Sequence, residues 1–219
     1  MRWSSVNAFV LVLAAFVSLK WNTPWPVLGI GSFSIFSFLT VGQKKLAGRD
    51  LWNWANGVSL FRWAGIGVLA LAAPQARGFL IFGGGLLLML LDSLDGWLAE
   101  RLEIRTQFGE FLDKEIDSLF LLIICLSLAS RGLVGSWVVI IGLSRYFFVI
   151  ALFYLRPSQP KERRSLRGRL TYSSVVLILL GLFLPLPTPR LWVALGCAAL
   201  LLFSFFQDIG HLFFGDHNG

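Results

Sequence analysis

The segment GFLIFGGGLLLMLLDSLDGWLAERLEIRTQFGEFLDKEIDSLFLLIICLSLAS, residues 78–130, consists of two apolar runs joined by a charged junction. Each run is about as long as the roughly 20 apolar residues that a helix needs to cross a bilayer. Eight of the chain's 12 acidic residues nevertheless fall between Asp92 and Asp117, at the boundary between the runs. An ionised side chain at membrane depth costs about 2.5–3.5 kcal/mol even on permissive scales, so a cluster retained there is paired or functional. The segment therefore predicts a membrane helical hairpin with an acidic site at one end.

The rest of the chain agrees. Its 219 residues are 56% hydrophobic and 14% charged, with 20 Phe and 9 Trp, which is too apolar for a soluble domain of this length. Apolar runs predict an all-α integral membrane protein of about eight spans, near 4–20, 25–42, 55–73, 78–98, 110–130, 134–155, 170–186 and 190–207. Breaks are expected at Pro24 and Pro26, at Pro74, at Gly132 and through Pro185, Pro187 and Pro189. At the N-terminus, Arg2 and the apolar stretch from Val6 to Val17 have the look of a signal peptide, but the following Lys20 to Pro24 has no small-residue cleavage site, so a retained helix is expected. Cys125 and Cys197 sit inside apolar runs far from any His or second Cys, so neither a disulfide framework nor a zinc site is suggested.

The net charge of +7 is assigned to topology and anionic lipid, not to nucleic acid. With the N-terminus in the cytoplasm, twelve basic residues fall on that side (Arg2, Lys44, Lys45, Arg49, Arg101, Arg105 and six between Arg156 and Arg169), against Lys20, Arg77, Arg131 and Arg190 on the other. The positive-inside bias then puts both termini and the acidic junction at the cytoplasmic face. Residues 1–49 carry no acidic side chain and end in a basic stretch, so they form an N-terminal transmembrane hairpin with a linker. Residues 50–219 form a six-helix unit.

Within the acidic junction the spacing is informative. Asp92 and Asp95 are three residues apart, and Asp113 and Asp117 four apart, so each pair shares one helical face. Residues 97–108 are few enough to turn the chain back and bring the pairs together. Four converging carboxylates repel one another unless cations intervene. With no Cys or His nearby, hard divalent ions (Mg²⁺, Mn²⁺ or Ca²⁺) suit the oxygen ligands, and two such ions match four carboxylates. A two-metal centre is suited to phosphoryl transfer.

Asp92-x-x-Asp95-Gly96-x-x-Ala99, followed by Gly109-x-x-x-Asp113-x-x-x-Asp117, resembles the signature of the CDP-alcohol phosphotransferase (CDP-alcohol phosphatidyltransferase) family. Seven of the eight defining positions are kept; Glu100 stands where the family has Arg, with Arg101 immediately behind it. The segment Asn56-Gly57-Val58-Ser59-Leu60-Phe61-Arg62 is similar to the family's N-x-x-[ST]-x-x-R. The resemblance implies a six-helix bundle, a homodimer and a binuclear Mg²⁺ or Mn²⁺ site. It implies Asp92, Asp95 and Asp113 as metal ligands, with Asp117 sharing in coordination and acting as general base. Asn56, Ser59, Arg62, Gly96, Ala99, Arg101 and Thr106 become candidate contacts to a CDP-linked donor, and Gly109 a site of tight helix contact.

The implied reaction is transfer of a phosphatidyl group from CDP-diacylglycerol to an alcohol with release of CMP, in phospholipid biosynthesis at a bacterial inner membrane. Two alternatives stay open: a CDP-choline or CDP-ethanolamine phosphotransferase acting on diacylglycerol, and a non-catalytic divalent-cation-binding or transport protein. Arg145 and the loop from Arg156 to Arg169 have the chemistry to bind an acceptor phosphate, or else anionic lipid. The segment from Asp113 to Asp117 lacks the D-P-x-x-D-K ending of phosphatidylglycerophosphate synthases, so the acceptor stays unassigned. Lys114 and Glu115 read as a local ion pair, and Asp208, His211, Asp216 and His217 as a solvated tail.

Overall fold

The computed structural model describes residues 2–46, 54–101, 107–155, 166–187 and 189–214. Within them the chain is all-helical: α1 (Arg2–Trp21), α2 (Trp25–Leu46), α3 (Trp54–Ala72), α4 (Gly78–Arg101), α5 (Gln107–Ser130), α6 (Val139–Leu155) entered through a 3₁₀ turn at Ser136–Val138, α7 (Leu166–Gly181) and α8 (Arg190–Phe214). These eight α-helices correspond one to one with the eight apolar runs.

Most boundaries shift by a few residues, and two of the shifts bear on the sequence reading. Helix α7 stops at Gly181, short of residue 186, because Leu182, Phe183 and Leu184 donate to carbonyls three residues back, a tightened last turn ahead of Pro185. Helix α8 runs on to Phe214, so Asp208 and His211 lie on a helix and not in a tail; Asp216 and His217 lie outside the described residues.

Helix α5 is the axis of the bundle, packed against α1, α2, α3, α6 and α7. It is buried on every side from Ser118 to Leu128, as expected of a helix apolar all the way round. Its closest neighbour approaches through Gly142 of α6: a Cβ there would lie 2.7 Å from the Leu122 Cα, so only glycine allows that contact.

Helix α1 is arranged inside out. Asn7, Ala8, Leu11, Ala14, Ala15 and Ser18 face the bundle, whereas Val6, Phe9, Leu13 and Phe16 are exposed. Small and polar residues inside with large apolar ones outside is the pattern of helices that pack within lipid. By length and composition Ser4–Trp21 is the one described segment long and apolar enough to cross a membrane alone; the apolar stretches of other helices, such as Gly57–Ala72 and Gly78–Ser93, are shorter.

One end of the bundle is tied together by polar contacts. α1 and α5 both finish in a left-handed residue, Asn22 (φ 53°) and Gly132 (φ 64°), with the paired backbone bonds of a Schellman cap. Asn22 Nδ2 donates to the Ser130 carbonyl at 3.3 Å, and Arg131 donates to the carbonyls of Ala73 and Ala76, capping the end of α3. The acidic residues gather at the opposite end.

Candidate active site

Three helices bring the acidic residues together. Asp113 and Asp117 lie one turn apart on α5, Asp92 lies on α4, and α3, which packs against both α4 and α5, carries Arg62 between them. Arg62 Nη1 is 2.6 Å from Asp92 Oδ1 and 2.8 Å from Asp113 Oδ1, and Nη2 is 2.7 Å from Asp117 Oδ1. The Arg62 side chain is only 2% exposed, while the three carboxylates are between 20% and 37% exposed. The guanidinium thus forms the floor of the cluster and the carboxylates its rim.

A planar guanidinium presents five donors in a fixed fork, which is why one arginine can engage three carboxylates where a lysine would reach fewer. Among the described residues, three carboxylates thus face one guanidinium. Arg169, exposed near the start of α7, adds positive charge within electrostatic reach of Asp92. One oxygen from each of Asp92, Asp113 and Asp117 lies within 4.8 Å of the others, a spacing suited to a shared cation. An all-carboxylate donor set fits a hard divalent ion such as Mg²⁺ or Mn²⁺.

Of the other sequence-derived candidates, Ser59 is buried on α3, three residues before Arg62 and on the same face. Gly109 lies on α5, one turn before Asp113. Arg101 is exposed at the last residue of α4. Asn56 falls on α3, and Asp95, Gly96, Ala99 and Glu100 on α4, but their side chains lie outside the described residues, as does Thr106 entirely. Arg145 is turned toward the far side of α5: Nη1 donates to the Lys114 carbonyl at 2.9 Å and Nη2 is 3.7 Å from Glu115 Oε1. Glu115 is thereby paired across helices with Arg145.

Two features of the site are absent from the sequence reading. That reading makes Arg62 a candidate contact to the CDP-linked donor, whereas the structure shows it pairing with the acid cluster. The available signal is an arginine in the middle of an apolar helix, since such a residue requires an acidic partner. The second feature is Tyr172 of α7, whose hydroxyl donates to the Asp117 carbonyl at 2.7 Å, fastening α7 to α5 beside the cluster. A tyrosine among the apolar residues of α7 needs a partner for its hydroxyl, a signal again legible in principle.

The family model for CDP-alcohol phosphatidyltransferases matches residues 52–205, from the approach to α3 to well within α8. The chain belongs to the CDP-alcohol phosphatidyltransferase family. No curated protein matches it. The family is one of membrane-associated transferases that move a phosphatidyl group from a CDP-alcohol. The matched region contains the whole acid cluster and Arg62, and leaves α1 and α2 outside.

Proposed function

We propose that this protein transfers a phosphatidyl group from CDP-diacylglycerol to an alcohol acceptor, releasing CMP, in phospholipid biosynthesis. The observation that carries the reading is the Arg62-centred cluster of Asp92, Asp113 and Asp117, three carboxylates on one guanidinium among the described residues, at one end of an apolar bundle. Asp95, three residues after Asp92 on α4, is assigned as the fourth carboxylate of the set.

Two Mg²⁺ or Mn²⁺ ions bound by these carboxylates would neutralise the charge that develops on the donor's bridging oxygens. Asp117 has one oxygen on Arg62 and a second, Oδ2, to take the acceptor's hydroxyl proton. The acceptor oxygen then bonds to the phosphorus distal to cytidine, the bond from that phosphorus to the bridging oxygen breaks, and CMP departs with the electron pair. Arg62 holds Asp113 and Asp117 in one orientation throughout, so the base is aimed before substrate arrives. Asn56, Ser59, Gly96, Ala99, Arg101, Thr106 and Gly109 are assigned to donor binding and close helix contact; Arg145, expected at an acceptor phosphate, is instead turned away from the cluster onto Lys114 and Glu115.

The reading extends to topology. Residues 50–219 form the transferase unit and 1–49 a transmembrane hairpin with a basic linker, in a homodimer of an inner (plasma) membrane protein. The outward apolar face of α1 and the basic residues at the acidic end support eight spans with both termini and the site at the cytoplasmic face. The lipid tails of the donor then stay in the bilayer while the diphosphate reaches the carboxylates.

Purified protein with Mn²⁺ and CDP-diacylglycerol should release CMP once the right alcohol is supplied from a panel of phosphorylated and plain acceptors. CMP release from CDP-choline or CDP-ethanolamine with diacylglycerol, and not from the lipid donor, would replace this reading by the amino-alcohol alternative. Mn²⁺ binding without CMP release from any donor would favour a non-catalytic cation-binding protein.

A further inference from the structure

Helix α5 carries acids on two opposite sides. Asp113 and Asp117 face α3 and α4, while Glu115, midway between them and so rotated by about 200° from each, faces α1 and α6. Glu115 is 6% exposed and fully engaged: Asn7 Nδ2 of α1 donates to its Oε2 at 3.0 Å, and Arg145 of α6 pairs with its Oε1. Asn7 is itself held, since Ser34 Oγ of α2 donates to its Oδ1, and both residues are buried. Arg145 also grips the neighbouring Lys114 carbonyl. Helices α1 and α6, with α2 behind α1, therefore converge on one turn of α5, on the side away from the acid cluster.

We propose that the N-terminal hairpin is a positioning element for the acid cluster: Asn7, braced by Ser34, fixes Glu115 and thereby the rotation of α5 that aims Asp113 and Asp117. A buried carboxylate keeps its partners because losing one leaves it under-solvated in a medium that offers no water. Arg62 pulls the same turn of α5 from the other side, so the helix is pinned about its axis by opposed polar contacts. A small rotation would swing both aspartates together. The hairpin lies outside the region shared with the family, so this is a device of this chain, and it rests on the reading of Asp113 and Asp117 as cation-binding.

The test uses the full chain in detergent or nanodiscs, with Mn²⁺ affinity, CMP release and thermal unfolding measured side by side. Asn7→Asp sets a carboxylate against Glu115 and should weaken Mn²⁺ binding by ~10-fold, the lower end of the range for supporting partners of metal ligands. Adding Glu115→Gln restores the bond with its direction reversed: the new amide on α5 donates to the new carboxylate on α1, which still accepts from Ser34. Mn²⁺ affinity in this double variant should return close to wild type. Asn7→Ala, which removes the donor without adding charge, should show the same loss and serves if Asn7→Asp is not recovered folded. Lower thermal stability with unchanged Mn²⁺ affinity in the Asn7 variants, or no recovery in the double variant, overturns the proposal. A wild-type protein that binds no Mn²⁺ removes the cation reading and this proposal with it, whereas wild-type binding that Asn7 variants leave intact removes this proposal alone.

Discussion

Arg62 and Asp117 are 55 residues apart in sequence and 2.7 Å apart in space, and the guanidinium that joins them also touches Asp92 and Asp113. The contact unites three helices at a point where each alone would bury an unpaired charge. Among the described residues three carboxylates share this one guanidinium, a donor set that also suits a hard cation. Stability and cation binding should therefore be linked through Arg62.

Arg62→Met removes the tethered cation while keeping an apolar stem of similar length. Breaking one partner out of a buried ion cluster costs about 3–5 kcal/mol, so thermal unfolding in EDTA should shift well below wild type. Mn²⁺ should raise the unfolding temperature of the variant by more than it raises that of wild type, since the carboxylates then depend on it alone. Equal Mn²⁺ responses in the two proteins would mean that the cluster is a purely internal salt bridge.

Asp117→Asn keeps an oxygen that can accept from Arg62 Nη2 but has no carboxylate to take a proton. Unfolding temperature should change little, and CMP release should fall by ~10²–10⁴-fold, the usual worth of a general base. Substrate KM should stay near the wild-type value, which separates loss of the base from loss of donor binding. Turnover at the wild-type rate would remove Asp117 from the role of base.

The eight described α-helices were legible because each grows from a long apolar run bounded by Pro, Gly or charge, and a run of that kind read as membrane-embedded has few alternatives to a helix. The meeting of Asp92 with Asp113 and Asp117 was legible too, from two short-range spacings and a short connection. What the one-dimensional reading left out was the third dimension of charge balance. It sought the compensating cation among metals and missed the one that α3 supplies from 51 residues upstream of Asp113. The link from Asn7 to Glu115 was equally hidden, since it spans 108 residues and no periodicity of α1 identifies the partner of Asn7.

Tyr172→Phe tests the fastening of α7. The hydroxyl makes one hydrogen bond to the Asp117 carbonyl, a type of contact with a net value of about 0.5–1.5 kcal/mol. A modest drop in unfolding temperature is expected, together with a partial loss of turnover as α7 loosens beside the base. A variant indistinguishable from wild type in both respects would show that the helix packing alone holds Asp117.

The orientation of α1 gives a contrast between adjacent faces. Leu13 is 51% exposed and Ala15 is fully buried, so the two positions see different surroundings. If the exposed face meets lipid, Leu13→Arg near the middle of the span costs about 2.5–3.5 kcal/mol of membrane insertion yet disturbs no contact inside the bundle. The membrane-fraction yield should fall, while any protein recovered in detergent, where the arginine reaches water, should unfold at the wild-type temperature. Ala15→Leu should do the reverse, inserting normally and unfolding early, because overpacking a tight helix contact costs about 1–3 kcal/mol. Normal membrane accumulation of Leu13→Arg would show that this face of α1 does not look onto the lipid interior.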